Sequence, residues 1–401
     1  MPKRTTISKG ENDSLFLLIH RMSKAEKRHF RLMASRQENG DGKFIRLYEQ
    51  IEKMRSYDAN KLIGPATGIR RVQLPNQKAF LYNYLLGCLR HASSTVELRI
   101  SRLVNDAHVL YGKCLYEDCI RAIDKAKKLA ASSERTAFLF DLLELEKLVA
   151  QRTIASDHEQ RVSANNELSR LALARLSEEN RFRNASARMN AFYIRSGFIR
   201  NREDEQRVRS VFMKEFPLVA DRDLSVTTRL HRHSALAGFQ FFVQDFRNGL
   251  LTSRKWVGIF ENDPHLIDIH TEMYIRGLNS LLVALNKLGI LEEFEQVQKK
   301  LIQLKKRPKI NWTENLNLNL FKCIYVHEIN RHFMLGEFRA GTRIVARLEN
   351  ELEKFIPFLD HQSLLLFYYK IACLYFGADQ YKRSLHWLNR IINEKDISVR
   401  E

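Results

Sequence analysis

Five arginines recur at intervals of seven residues in the middle of the chain: Arg181, Arg188, Arg195, Arg202 and Arg209. Seven residues make nearly two helical turns, so the first three are predicted on one side of one helix, drifting by about 20° per heptad. A turn is expected near Asn201, which assigns the last two to the next helix. Guanidinium groups in a row suit carboxylates or phosphates. We therefore predict an anion-binding stripe for a partner, formed by Arg181, Arg188, Arg195 and Arg202. The alternative is a solvated helix face paired with nearby carboxylates.

A second group of cations lies in the N-terminal third. Residues 1–130 hold 25 Lys/Arg against 13 Asp/Glu, and the whole chain carries a net charge of +19. Such a charge excess favours polyanions or acidic protein surfaces. This region is the alternative functional surface, for nucleic acid. Its predicted contact residues are Lys24, Lys27, Arg28, Arg31, Arg70 and Arg71. A helix-turn-helix variant over residues 44–90 and an anionic membrane surface are further alternatives.

Motifs for catalysis and metal binding are missing from the sequence. It contains no G-x-S-x-G, no G-x-G-x-x-G and no G-x-x-x-x-G-K-[ST]. His231 and His233 have no Cys, Asp or Glu at a metal-ligand spacing, and no two of the five cysteines form C-x-x-C. We therefore expect no enzymatic activity and no cofactor or metal, with free thiols in a reducing compartment. No signal-peptide core or 18-residue apolar segment is present, so we expect a cytoplasmic protein.

Turn-forming residues are scarce. The chain of 401 residues has 16 Gly and 7 Pro, about half of the roughly 48 expected from average usage. This scarcity predicts a mostly helical protein. In the N-terminal part we predict a capped basic helix from Ser23, a turn at 39–42, a loop at 64–68 and helices over 44–54 and 74–90.

A pattern of small and aromatic residues recurs along the chain. It is clearest over 107–126 and 372–391, where an aromatic follows a small residue by nine positions and precedes another small residue by three. The aromatic or equivalent positions are 116, 246, 291, 338 and 381. Small residues let two antiparallel helices approach, so each copy predicts a helical hairpin. The gap from 116 to 246 predicts two more, 134–151 with 159–176 and 180–199 with 203–216.

Two copies carry a family resemblance: Tyr116-x-x-Cys119-x-x-x-Ile123-x-x-Ala126 and Tyr381-x-x-Ser384-x-x-x-Leu388-x-x-Ile391. They resemble helix B of the tetratricopeptide repeat (TPR), although the period is 43–47 residues rather than about 34. The resemblance covers roughly residues 93–396 and implies a scaffold that binds protein or peptide along a concave face. The family's carboxylate clamp is not supported, because Asn330 alone fits among the aligned positions. The N-terminal segment is similar to those that precede TPR-like hairpins in bacterial proteins, and that likeness carries no activity.

These observations combine into one prediction. The fold is all-α, with a basic N-terminal helical segment (1–92) and a right-handed α-solenoid of TPR-like hairpins (93–401). The final helix, 381–394, is predicted to carry a polar outer face as a cap. The function is a non-enzymatic protein- or peptide-binding scaffold with basic residues that favour an acidic partner. The alternative is a nucleic-acid-binding or regulatory protein that acts through the basic N-terminal third.

Overall fold

A computed structural model describes residues 13–35, 42–152, 158–196, 199, 201–216 and 219–393. These residues contain no β-strand, so the predicted all-α class is confirmed for the described part of the chain. Two compact units form, residues 1–102 and 103–401. The described α-helices are α1 (Ser14–Arg21), α2 (Lys24–Ser35), α3 (Lys43–Lys53), α4 (Leu74–Ala92), α5 (Val96–Gly112), α6 (Tyr116–Ser132), α7 (Thr136–Ala150), α8 (His158–Ser196), α9 (Arg202–Glu215), α10 (Val226–Phe242), α11 (Phe246–Asn262), α12 (Leu266–Ile269), α13 (Thr271–Leu288), α14 (Leu291–Gln303), α15 (Glu314–Leu335), α16 (Phe338–Phe355), α17 (His361–Gly377) and α18 (Tyr381–Ile392).

The first unit packs α1 to α4 around one apolar core. The capping box at the start of α2 forms as predicted, because Ser23 and Glu26 each accept a hydrogen bond from the other's backbone N–H, at 3.2 and 2.7 Å. Helix α3 buries one apolar face, formed by Phe44, Leu47, Tyr48 and Ile51. Helix α4 begins with a proline in its first turn. The predicted loop is also present, with the Thr67 hydroxyl donating to the Leu62 carbonyl at 2.8 Å. The predicted turn at 39–42 lies outside the described residues except for Gly42.

One turn geometry recurs in the second unit. Each of the five repeat positions, 116, 246, 291, 338 and 381, is the first residue of a helix. Two residues earlier the backbone has a positive φ of 59–71°, which ends the preceding helix in a left-handed cap. The next residue donates its N–H to the carbonyl five positions back, at 2.8–3.0 Å. The residues in this left-handed position are Cys114, Gln244, Gly289, Gly336 and Asp379.

Small residues bring the two helices of a hairpin together, as predicted. Cys119 Sγ donates to the Ala107 carbonyl at 3.2 Å, and Ser384 Oγ donates to the Ala372 carbonyl at 2.9 Å. Both pairs span twelve residues across the turn. At the same position of its own hairpin, Gly249 leaves no room for a Cβ, which would lie 2.5 Å from the Phe241 ring. The repeat pattern therefore marks where two helix backbones meet.

Successive hairpins pack against each other in one recurring way. We call α10, α13, α15 and α17 the A helices, and α11, α14, α16 and α18 the B helices that follow them. Helix α15 packs against both α13 and α14, and α17 packs against both α15 and α16. Each new A helix thus lies against both helices of the hairpin before it.

One prediction about the second unit is wrong. A break was expected between 176 and 180, but α8 runs without interruption from His158 to Ser196. Ser177 and Asn180 are compatible with a helix interior, and the break is absent because α8 is held on both sides, by α7 and by α10.

The final helix was expected to have a polar outer face, and it has one only in part. Helix α18 exposes polar side chains, but it also exposes Tyr381, Leu385 and Ile392.

Candidate functional site: a polar strip across the A helices

The predicted arginine stripe divides into paired and unpaired side chains. Arg188 forms an ion pair with Glu215 at 2.7 Å, and Arg209 forms one with Glu205 at 3.1 Å. Arg181 and Arg202 are exposed and have no ion pair among the described residues. The side chain of Arg195 lies outside the described residues. The turn near Asn201 is confirmed, because that residue caps α9 by accepting from the Asp204 N–H at 2.8 Å. Binding of a partner by these arginines stays a prediction.

The basic N-terminal surface divides in the same way. Glu52 of α3 accepts both Lys27, at 3.3 Å, and Arg31, at 2.6 Å. Burial opposes ionisation of Glu52, but these two bonds outweigh it and hold its pKa below the ordinary value. Two of the six predicted nucleic-acid contacts therefore hold α2 on α3. The other four are exposed and have no ion pair among the described residues: Lys24, Arg28, Arg70 and Arg71.

A chain of hydrogen bonds joins three successive A helices. Lys370 Nζ on α17 donates to Asn330 Oδ1 on α15 at 2.6 Å. The amide of Asn330 donates to Nδ1 of His327 at 3.3 Å, and Nε2 of His327 donates to Asn279 Oδ1 on α13 at 2.9 Å. Each of these three hydrogen bonds joins a donor to an acceptor when His327 is neutral with its proton on Nε2. The hydrogen bonds therefore all run in one direction, from the cation on α17 to the amide on α13.

Burial sets the protonation of both titratable groups in this chain. His327 is fully buried, and burial lowers its pKa to about 3, assisted by the charge of Lys370. Burial also lowers the pKa of Lys370 to about 8. The ammonium group lies 5.5 Å from the centre of the Phe333 ring. No carboxylate among the described residues forms an ion pair with Lys370, so near neutral pH it is a half-buried cation without an anion.

The same face of the A helices carries polar groups further back along the chain. Ser234 and Asn279 both stand twelve residues before the first residue of the following B helix. Arg276 Nη2 donates to Ser234 Oγ at 3.4 Å, which joins α13 to α10. Arg276 is exposed, and it too has no ion pair in the described part of the chain. We call Ser234, Arg276, Asn279, His327, Asn330 and Lys370 the polar strip.

The Glu134 carboxylate contacts residues at the N-terminal ends of α10 and α13. Glu134 Oε2 accepts from Thr227 Oγ1 at 2.5 Å and lies 3.1 Å from Nε2 of His270, which begins the turn into α13. The hydrogen bond with His270 holds the pKa of Glu134 below its ordinary value. Arg135 supports this contact by donating to the Ile269 carbonyl at 3.3 Å. Glu134 is thus hydrogen-bonded within its own surroundings, whereas Lys370 and Arg276 form no ion pair in the described part of the chain.

Sequence reasoning found one residue of this strip and missed the others. Asn330 was the position that matched the carboxylate clamp, whereas the aligned residue on the next helix is Cys373. The structure brings Lys370, three residues before Cys373, to Asn330. The usable signal was the offset of 43 residues between His327 and Lys370, which equals the distance between 338 and 381. That offset places a histidine and a lysine at the same position of successive A helices.

No family model matches the chain, and no match was found among the curated proteins. None of the described helices combines the length and apolar character needed to cross a bilayer. Within the described ranges, no three His, Cys, Asp or Glu side chains are grouped as metal ligands. All five cysteines are free.

Proposed function

We propose that this chain is a non-enzymatic scaffold that binds an acidic segment of a protein or peptide along the polar strip. The ligand's carboxylate would accept from Lys370, and further acidic or polar groups would lie beside Arg276. The observation that carries the proposal is the half-buried Lys370 cation, which Asn330 orients and which forms no ion pair with a carboxylate of the described residues. A charge that is removed from water without a partner is costly, so a site of this kind gains free energy when an anion arrives.

The recurring packing supports a solenoid as the frame of this site. Helices α13, α15 and α17 each lie against both helices of the preceding hairpin, and one turn geometry occurs at all five repeat positions. We propose that the A helices line the concave face of a right-handed, TPR-like superhelix. An extended ligand would then cross successive A helices and meet one group of the strip at each. The continuous helix α8 would interrupt the regular stacking before α10, so the proposed groove begins at α10.

A peptide array tests the proposal. The purified protein would be applied to random-sequence peptides, and affinities of the selected peptides measured by fluorescence anisotropy. We expect enrichment in Asp and Glu and a loss of about tenfold or more in affinity in Lys370→Met, because charged hydrogen bonds contribute about 1.5–3 kcal/mol. The matched control is Lys299→Met, an exposed lysine of α14 outside the strip. The proposal would be contradicted if the selected peptides bind Lys370→Met and Lys299→Met with equal affinity.

The unpaired cations of the first unit favour one second candidate, nucleic-acid binding. Lys24 and Arg28 are exposed on α2, and Arg70 and Arg71 are exposed before α4. Binding through several phosphates would weaken by orders of magnitude between about 50 and 200 mM salt. Filter binding of a DNA duplex to the wild type and to Lys24→Ser/Arg28→Ser tests this. If the wild type and the double variant bind DNA equally and without salt dependence, nucleic-acid binding by this surface is excluded.

A further inference from the structure

The last hairpin exposes a row of large apolar side chains. On α17, Tyr369 and Phe376 are 57% and 64% exposed, and on α18 Leu385 and Ile392 are 58% and 70% exposed. The rings of Phe376 and Tyr381 lie 5.6 Å apart, which joins the two helices' rows at the turn. The terminal face consists of Leu366, Tyr369, Phe376, Tyr381, Leu385 and Ile392. Such a contiguous apolar surface marks an interaction site.

Inside the unit, the position equivalent to Tyr381 is covered by the next hairpin. Phe338 begins α16, as Tyr381 begins α18, and its ring lies so close to Gly377 of α17 that a Cβ there would be 2.4 Å away. Lys287 of α13 likewise lies 5.7 Å from the centre of the Phe246 ring at the start of α11. The first residue of a B helix thus contacts the last turn of the next A helix. Tyr381 has the same position and no following helix in the described part.

The packing of the A helices defines what shape fits this face. Helices α15 and α17 each lie against both helices of the hairpin before them. A segment that continues this stacking must lie against α17 and α18 together. The terminal face is therefore continuous with the hairpin interfaces and shaped for one more helix.

The charge of α17 and α18 determines which kind of helix the terminal face favours. Helices α17 and α18 contain no Asp or Glu, whereas exposed Lys382 of α18 directly follows Tyr381 and lies beside the apolar row. Asp379, in the turn between the two helices, is paired with Arg339 at 3.5 Å. A second copy docked face to face would bring two basic helices together, which is unfavourable. An acidic helix meets a complementary surface.

We propose that the terminal face binds an amphipathic helix of a partner protein, with its apolar side on α17 and α18 and acidic residues beside α18. This helix would act as an added A helix and cap the stack. None of the terminal-face residues belongs to the polar strip. The mode is the docking of a helix along an apolar groove, with anchors spaced by helical turns.

Two synthetic helical peptides test this proposal by fluorescence anisotropy with the full chain. Both have leucines on one side; one has flanking glutamates, and the other has lysines at the same places. We expect the acidic peptide to bind about tenfold or more tightly than the basic one. Phe376→Ser/Leu385→Ser should abolish that binding, and Lys382→Glu should weaken it. The matched controls are Leu251→Ser, an exposed leucine of α11, and Lys299→Glu.

Other occupants would give different results. Equal affinity for the two peptides, or binding that survives Phe376→Ser/Leu385→Ser, overturns the proposal. So does a wild-type dimer in light scattering that this double variant converts to monomer, because the occupant is then a second copy. Binding that appears only after removal of residues 394–401 would assign the face to the chain itself. Circular dichroism of each variant shows that the serines leave the fold intact. All comparisons are made in the Lys370→Met background, so that binding of the peptides at the polar strip does not contribute.

Discussion

Lys370 and Asn330 lie on successive A helices, and the lysine Nζ donates to the amide Oδ1 at 2.6 Å. The bond fixes the direction of the amide, which then donates to the buried His327. A single contact thus joins two hairpins and presents a cation on the A-helix face.

The first prediction concerns the pH dependence of Lys370. Burial lowers the pKa of this amine from 10.5 to about 8. Between these two pH values the unfolded chain binds more protons than the folded one, so the free energy of unfolding should rise with pH. Relative to Lys370→Met, the wild type should gain at most about 3 kcal/mol across this window. Urea unfolding of both proteins at several pH values measures the difference. Parallel pH profiles would contradict the buried cation.

A second prediction follows from the neutral His327. Burial lowers its pKa from 6.5 to about 3, so the unfolded chain binds the extra proton between these values. Stability should therefore fall as the pH falls below 6.5, by about 2 kcal/mol down to pH 5. Half-buried His231 and buried His233, with pKa values of about 4, add to the same trend.

The variant His327→Gln isolates this contribution. Its unfolding free energy should depend less steeply on pH than that of the wild type, whatever its absolute stability. The measurement is urea unfolding between pH 7 and 5. An unchanged slope would mean that His327 takes up its proton in the folded state.

Close helix contact gives a third prediction. A Cβ on Gly249 would lie 2.5 Å from Cε1 of Phe241, whereas Gly258 of the same helix has open space around it. Gly249→Ala should therefore destabilise the protein by about 1–3 kcal/mol, since the ring must move. Gly258→Ala should stabilise it by up to about 1 kcal/mol because alanine favours the helix. Thermal or urea unfolding compares the two. Equal effects would show that the hairpin is looser than described.

The arginines give a fourth prediction. Arg188 pairs with Glu215 and is 54% exposed, so Arg188→Ala should cost less than about 1 kcal/mol of stability. If the arginine stripe binds a partner, the arginines without an ion pair make the contacts. Arg181→Ala/Arg202→Ala should then weaken binding of array-selected peptides by several-fold and leave the melting temperature nearly unchanged. Unaltered affinity in that double variant removes the arginine stripe from the function.

Local patterns predicted much of this fold because they act within a few residues. The buried side of α3 follows from the spacing of Phe44, Leu47, Tyr48 and Ile51, and the hairpins follow from small and aromatic residues around each turn. The continuity of α8 did not follow, since Ser177 and Asn180 suit both a helix interior and a helix end, and contacts with α7 and α10 decide between them.

The candidate site was less predictable than the fold. Lys370 and Asn330 are 40 residues apart, and their meeting depends on how two hairpins stack. Charge alone pointed to the arginines and to α2, where Glu215, Glu205 and Glu52 neutralise several of the cations. A net charge does not reveal which cations lack an anion; the folded arrangement does.

The affinity of one acidic, array-selected peptide for wild type and for Lys370→Met tests the central claim most directly. Lys299→Met serves as the charge-matched control. We predict that Lys370→Met binds the peptide about tenfold or more weakly than wild type and that Lys299→Met binds it equally well. The affinity of the wild type should decrease as the salt concentration rises. Equal affinity of all three proteins would contradict the claim that the oriented cation of the polar strip receives the ligand.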